Sequence, residues 1–259
     1  MKNVVVRGSF DDLRSRDIRF LEEASKLGRL QVVLEPEAPK FSLAERRYFV
    51  EAVRYVAGLT VAESSSDVET LPKLPADIWA VRAGADTPGH REFCAARGID
   101  LRVIPDEQIA GFPEPPPLPH TPGRKKVLVT GCYDWFHSGH VRFCEEVSEL
   151  GELYVVVGND INVRHLKGDG KPMFTEQERR YVVGSIRYVT QCLVSSGMGW
   201  LDAEPEIRRL KPEMYAVNED GDKPEKRDYC AANGIEYVVL KRTPKEGLTA
   251  RSSTSLRGF

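Results

Sequence analysis

Short runs of β-branched residues alternate with longer amphipathic stretches along the chain, and the alternation occurs twice. In the second half, apolar runs at Lys126–Thr130, Leu153–Gly158, Gln191–Ser195, Met214–Val217 and Tyr237–Leu240 predict strands. Between them, helices are predicted to begin near His140, Thr175, Asp202 and Lys223. Tyr181, Val182, Ile186 and Val189 fall at core-facing intervals, and Thr175 to Glu178 is spaced like a capping box. Strands alternating with helices predict an α/β fold with a parallel sheet and a ligand at the carboxyl ends of its strands.

The first half repeats this plan. Arg7-Gly8-Ser9-Phe10-Asp11 and the Arg19-Phe20, Glu22-Glu23 and Leu27-Gly28 that follow match Thr130-Gly131-Cys132-Tyr133-Asp134 and its sequel at a constant offset of 123. Phe41 to Tyr48 with Arg54-Tyr55-Val56 matches Phe174 to Tyr181 with Arg187-Tyr188-Val189, and Arg91 to Ile99 matches Arg227 to Ile235. Two copies of one fold follow. Between them, residues 112–124 are Pro-rich and suit a stiff extended linker. The expected organisation is one domain over 1–111, the linker over 112–124 and a second domain over 125–259.

With 259 residues, each domain is large enough to bury its own core. A net charge of −2, with no long basic stretch, argues against a nucleic-acid binder. No apolar run approaches the ~20 residues of a membrane span, and Met1 to Val6 reads as a strand rather than a signal peptide. A cytoplasmic protein is expected, with no membrane partner. The five cysteines are odd in number and form no Cys-x-x-Cys pair, so neither a disulfide framework nor a zinc site is indicated.

The stretch Gly131-Cys132-Tyr133-Asp134-Trp135-Phe136-His137-Ser138-Gly139-His140 carries the chemistry. A strand ending in a glycine turn and feeding a helix that opens with two histidines puts both imidazoles where backbone N–H groups and the helix dipole attract anions. Gly139 between them lets a phosphate chain approach the backbone. The first copy has Arg14-Ser15-Arg16-Asp17 there, which lacks both imidazoles and adds a carboxylate. It is expected to be a structural copy beside an active one.

His137-Ser138-Gly139-His140 after Gly-Cys-Tyr-Asp resembles the HxGH signature of the nucleotidyltransferase superfamily. Within it, the pattern is similar to the phosphoethanolamine, phosphocholine and glycerol-3-phosphate cytidylyltransferases. The resemblance implies two tandem Rossmann-like nucleotidyltransferase domains with parallel sheets. In phosphoethanolamine cytidylyltransferases the amino-terminal copy is the active one, an order that is reversed here. The implied reaction is attack by a phosphomonoester oxygen on the α-phosphate of CTP, giving a CDP-alcohol and pyrophosphate, with Mg²⁺ entering on the nucleotide and no protein metal cage.

The same resemblance implies site residues. His137, His140 and Lys167 would act on the reacting phosphates, with Lys167 in a loop after the second strand. Gly131, Cys132, Tyr133, Gly139, Arg187, Asn218 and Asp220 would surround the nucleotide. Arg251, Ser252, Ser253 and Thr254, in a tail similar to the family's Arg-Thr-x-Gly-Ile-Ser-Thr-Thr, would hold the terminal phosphates. Asp134 and Trp200 would contact the acceptor. Plain alternatives stand beside these: a solvated lysine, a helix-packing arginine, a core tryptophan and a simple Ser/Thr helix cap.

Two rival functions follow from the sequence. The Leu-Lys-Gly-Asp loop is also similar to ADP-heptose synthases, which points to an adenylyltransferase for a sugar phosphate. The worn first copy and the altered tail point instead to a non-catalytic nucleotide-binding protein. A unit freed of ligand duties would also suit the interface of a homodimer.

Overall fold

Val4, Val5 and Val6 of one strand and Val127, Leu128 and Val129 of another are fully buried, as expected of central strands covered on both faces. In the computed structural model, which describes residues 1–64, 75–253 and 256, each is the middle strand of a five-stranded parallel sheet. The chain forms two compact units, Met1–Phe112 and Pro113–Phe259.

The first unit runs β1 (Asn3–Gly8), α1 (Ser15–Ser25), β2 (Arg29–Leu34), α2 (Leu43–Ala52), β3 (Gly58–Val61), β4 (Ile78–Arg82), α3 (Pro88–Arg97) and β5 (Asp100–Ile104). The second runs β6 (Lys126–Gly131), α4 (Ser138–Leu150), β7 (Glu152–Val157), α5 (Asp160–Lys167), α6 (Glu176–Gly184), β8 (Val189–Val194), α7 (Glu204–Leu210), β9 (Met214–Asn218), α8 (Pro224–Ala232) and β10 (Glu236–Leu240). The strand orders are β3-β2-β1-β4-β5 and β8-β7-β6-β9-β10, which is one Rossmann-like topology twice. In each unit the order reverses beside the first strand, and a crevice opens there at the carboxyl ends.

In the second unit, one face of the sheet packs Leu128, Val156, Tyr215 and Val217 against Ala203, Ile207 and Cys230 from α7, α8 and the turn before α7. Helix ends follow local chemistry: the Ser42 and Thr175 hydroxyls accept the Glu45 and Glu178 N–H groups and start α2 and α6. Gly28 and Gly151 end the turns into β2 and β7, where a Cβ would lie 2.2 Å from the Lys2 or Lys125 carbonyl oxygen. Only glycine fits so close a backbone approach.

The Pro-rich segment, read as a stiff linker, is pinned to the second unit. The Leu118 N–H donates to Thr190 O of edge strand β8 at 2.8 Å. His120 Nδ1 lies 2.6 Å from the Glu152 carboxylate, which also accepts the Thr121 N–H. Leu118 is the sole backbone donor in the run Pro115-Pro116-Pro117-Leu118-Pro119, and it is spent on the sheet edge. Among the described residues no helix is long and apolar enough to cross a membrane.

Candidate active site

The site is built where β6 meets α4. Tyr133 turns the chain in a left-handed conformation (φ 53°), and its ring lies over Gly131, where a Cβ would be 2.8 Å away. His137 is extended and caps α4, its Nδ1 accepting the Gly139 N–H at 3.1 Å. An accepting Nδ1 carries no hydrogen, so the neutral ring has its proton on Nε2 as a donor. The His140 ring stacks on His137 with centroids 3.9 Å apart and 26° between planes, and Phe136 and Tyr133 pack on it at 5.2 Å each. A Cβ on Gly139 would sit 3.0 Å from the His137 ring. The glycine between the histidines therefore makes room for an imidazole.

Burial, and then the charges of His137, Arg242 and Lys167, hold the His140 pKa well below its ordinary value of 6.5, so the ring is neutral at pH 7. Its Nδ1 and the Asn218 Oδ1 at the end of β9 are buried polar atoms with no hydrogen-bond partner among the described residues. Buried polar atoms ordinarily have a hydrogen-bond partner, so these two positions are exceptional.

A cavity of about 420 Å³ adjoins the start of α4, lined by Gly139, Arg142, Asn218, Arg242, Arg251 and Ser252 among others. The tail is strapped over it. Arg242 pairs with Asp220 and donates to the Arg251 carbonyl at 3.1 Å, Lys245 bridges to Glu145 of α4 at 2.8 Å, and the Ser253 hydroxyl donates to Trp135 O at 3.1 Å. Asn218, Asp220, Arg251, Ser252 and Ser253 are thus gathered around the histidine-bearing helix end, whereas Thr254 lies outside the described residues.

Other expected residues fall differently. Lys167 is not in a loop but is the last residue of α5, exposed and near enough to influence His140; Asn159 starts this helix by accepting the Asn162 N–H at 2.8 Å. Asp134 is not a pocket carboxylate. It is 3% exposed and accepts the Met173 and Phe174 N–H groups at 2.6 and 3.1 Å, as Asp11 accepts those of Lys40 and Phe41 in the first unit. Arg187 is also corrected: it lies beside Gly151, Glu152 and Thr190, at the amino ends of β7 and β8, opposite the site. Cys132 offers its carbonyl to the buried Arg179 at 2.7 Å.

Trp200 is 53% exposed, so it is no core tryptophan. Its loop is fixed by residues that sequence reasoning missed. Asn162 donates to Gly199 O at 3.1 Å and accepts the Gly199 N–H at 2.7 Å, while Asn159 donates to Ser195 O and Gly197 O. The available signal was the pair of asparagines around Asp160-Ile161, directly after a buried strand. Lys226 was missed too: it donates to Gly221 O, lies 5.9 Å from the Tyr215 ring centroid, and has its pKa lowered chiefly by burial.

A family model described as cytidylyltransferase-like matches residues 128–257, from β6 to the tail. The chain belongs to the cytidylyltransferase-like family. An FAD synthase from Ferroglobus placidus is 33% identical over 135 residues, covering 51% of this chain and 85% of that protein. The bifunctional protein HldE from a Nitratiruptor species is 34% identical over 193 residues, covering 71% of this chain and 41% of that protein. A lipopolysaccharide core biosynthesis protein from Thermoplasma volcanium is 25% identical, with a TM-score of 0.40, and matches 48% of this chain and 100% of its own. Within this cytidylyltransferase-like unit, no group of three or more His, Cys, Asp or Glu side chains converges as metal ligands among the described residues.

Proposed function

We propose that the second unit transfers a nucleotidyl group from ATP to a phosphomonoester. The acceptor oxygen attacks the α-phosphorus, the bond to the bridging oxygen breaks, and pyrophosphate leaves. The observation that carries this reading is the stacked pair of His137 and neutral His140 at the N-terminus of α4, beside a cavity edged by Arg242 and Arg251. Such a transfer needs alignment and charge neutralisation rather than a covalent residue. His137 Nε2–H and the His140 ring would donate to the α-phosphate oxygens as charge builds there. Arg242, Arg251 and Ser253 would hold the outer phosphates, and Lys167 would close over the reacting groups from the end of α5. Mg²⁺ would arrive with the triphosphate.

ATP is preferred because the relatives include FAD synthases, whose named product is an adenine dinucleotide, and because the Leu166-Lys167-Gly168-Asp169 stretch resembles ADP-heptose synthases. CTP with a phospho-alcohol is the second reading, favoured by Gly131 to Asp134 and Phe174 to Arg179.

The test is thermal stabilisation by ATP, CTP, GTP and UTP with Mg²⁺, on the wild type and on His140→Ala. A ligand at a hundred times its dissociation constant adds about 2.7 kcal/mol to stability. A shift with ATP that the variant loses, and pyrophosphate release with a phosphomonoester, are expected. A shift with CTP alone selects the second reading. Tight binding without pyrophosphate release across phosphate esters would leave a nucleotide-binding protein without turnover.

A further inference from the structure

The first unit has its own cavity at the carboxyl end of its sheet, about 520 Å³ in volume. It lies between the ends of β1 and β4, where the strand order reverses, and is walled by Phe10, Phe20, Trp79 and His90. The His90 ring lies tilted against Trp79, with centroids 4.7 Å apart and 56° between planes, and the Arg82 guanidinium lies 5.0 Å over the Phe20 ring. Trp79 is 1% exposed, and its indole N–H is buried with no acceptor among the described residues. A buried indole N–H ordinarily has a partner, and a ligand in this cavity would supply one.

The charges in the cavity exclude a phosphate chain. Asp17 stands where His140 stands in the second unit, at an offset of 123, and Arg82 where Asn218 stands, at an offset of 136. The Asp17 carboxylate accepts the Arg14 N–H at the start of α1 and pairs with Arg82 at 2.6 Å, so the helix N-terminus already holds an anion. Arg7 likewise lies 3.5 Å from Glu35. Two cations and two anions leave no excess positive charge. Aromatic walls, a buried indole donor without an acceptor among the described residues and paired charges able to give and accept hydrogen bonds suit a flat, uncharged ring with polar edges.

We propose that this cavity binds a nucleoside, taken up as a ligand and not turned over. The test is hydrogen–deuterium exchange of the full chain with millimolar adenosine or cytidine, and calorimetry with the same two probes. Slowed exchange over residues 7–10 and 79–90 is expected. Trp79→Phe keeps a ring and removes the N–H; it should weaken nucleoside binding about tenfold while the second unit's nucleotide-induced thermal shift persists. No protection in the first unit with either nucleoside, protection confined to the second unit, or affinity unchanged in Trp79→Phe would each overturn the proposal. The exchange measurement on the wild type decides it even where the variant does not fold.

Discussion

Arg46 and Arg179 hold corresponding places in the two units and make matching bonds. Each Nε donates to the carbonyl five residues back, Phe41 at 3.1 Å and Phe174 at 3.0 Å. Each Nη1 donates to the turn after the first strand, Ser9 at 2.8 Å and Cys132 at 2.7 Å. Both side chains are buried. One guanidinium thus ties that turn to the start of a distant helix and to the carbonyl just after the second strand, Glu35 O at 2.8 Å and Gly158 O at 2.7 Å; the first unit adds Pro36 O at 2.6 Å, the second the Asp160 carboxylate at 2.7 Å. The first copy retains this arginine after losing both histidines because it holds the fold.

Arg179→Met should therefore destabilise the second unit by about 3 kcal/mol or more, since a buried, multiply bonded cation leaves its partners unsatisfied. Hydrogen exchange during denaturant titration separates the units. Arg46→Met should weaken the first unit comparably and leave the nucleotide-induced thermal shift in place. An Arg179→Met protein of wild-type stability would refute the structural role.

Gly139→Ala tests the histidine geometry. The new methyl would press on the His137 ring from 3.0 Å, in a helix that otherwise welcomes alanine. The fold should persist while pyrophosphate release falls about 100-fold, the scale on which a misplaced catalytic group costs rate. Unchanged turnover would mean that the stacked ring position is not used.

The pH dependence of folding reports on His140. Its folded pKa is depressed, chiefly by burial, while its unfolded value lies near 6.5. Above that value both states are neutral and its contribution is fully present. As pH falls below it, the unfolded chain takes up a proton that the folded ring refuses, and stability is lost down to the folded pKa. His140→Gln should abolish this slope, at most about 1.4 kcal/mol per pH unit. Denaturant melts of both proteins between about pH 5 and pH 7.5 check it; a constant gap between them would mean that the ring is not held neutral.

The worn copy made much of this legible in the sequence, and it also explains the misreadings. Strand positions and the β6–α4 motif follow from Val-rich runs and from the histidine spacing, both local signals. Asp134 was misread because its partners are backbone N–H groups of Met173 and Phe174, distant in sequence. Yet Asp11 stands in the copy that lost its histidines, which already marks the position as structural. Arg54 says the same of Arg187. Helix α5 was hidden by the Gly168-Asp169-Gly170 run that ends it, which made the whole segment read as a loop. The strap of the tail over α4 depends on Lys245–Glu145 and Arg242–Asp220, pairings that one sequence does not announce.

Trp200 has no counterpart among the repeat matches and carries no core load, so its presentation in a fixed loop calls for a use. Trp200→Ala should change stability by no more than about 0.5 kcal/mol, as for other exposed positions. It should raise KM for the phosphomonoester with kcat little changed, the signature of lost uniform binding. Asn162→Ala should raise the same KM by releasing Gly199, and should also cost about 1–3 kcal/mol because the asparagine is buried and doubly bonded. Steady-state kinetics with the acceptor varied at saturating ATP separate the two effects. An unchanged KM in both variants would remove this loop from the acceptor site.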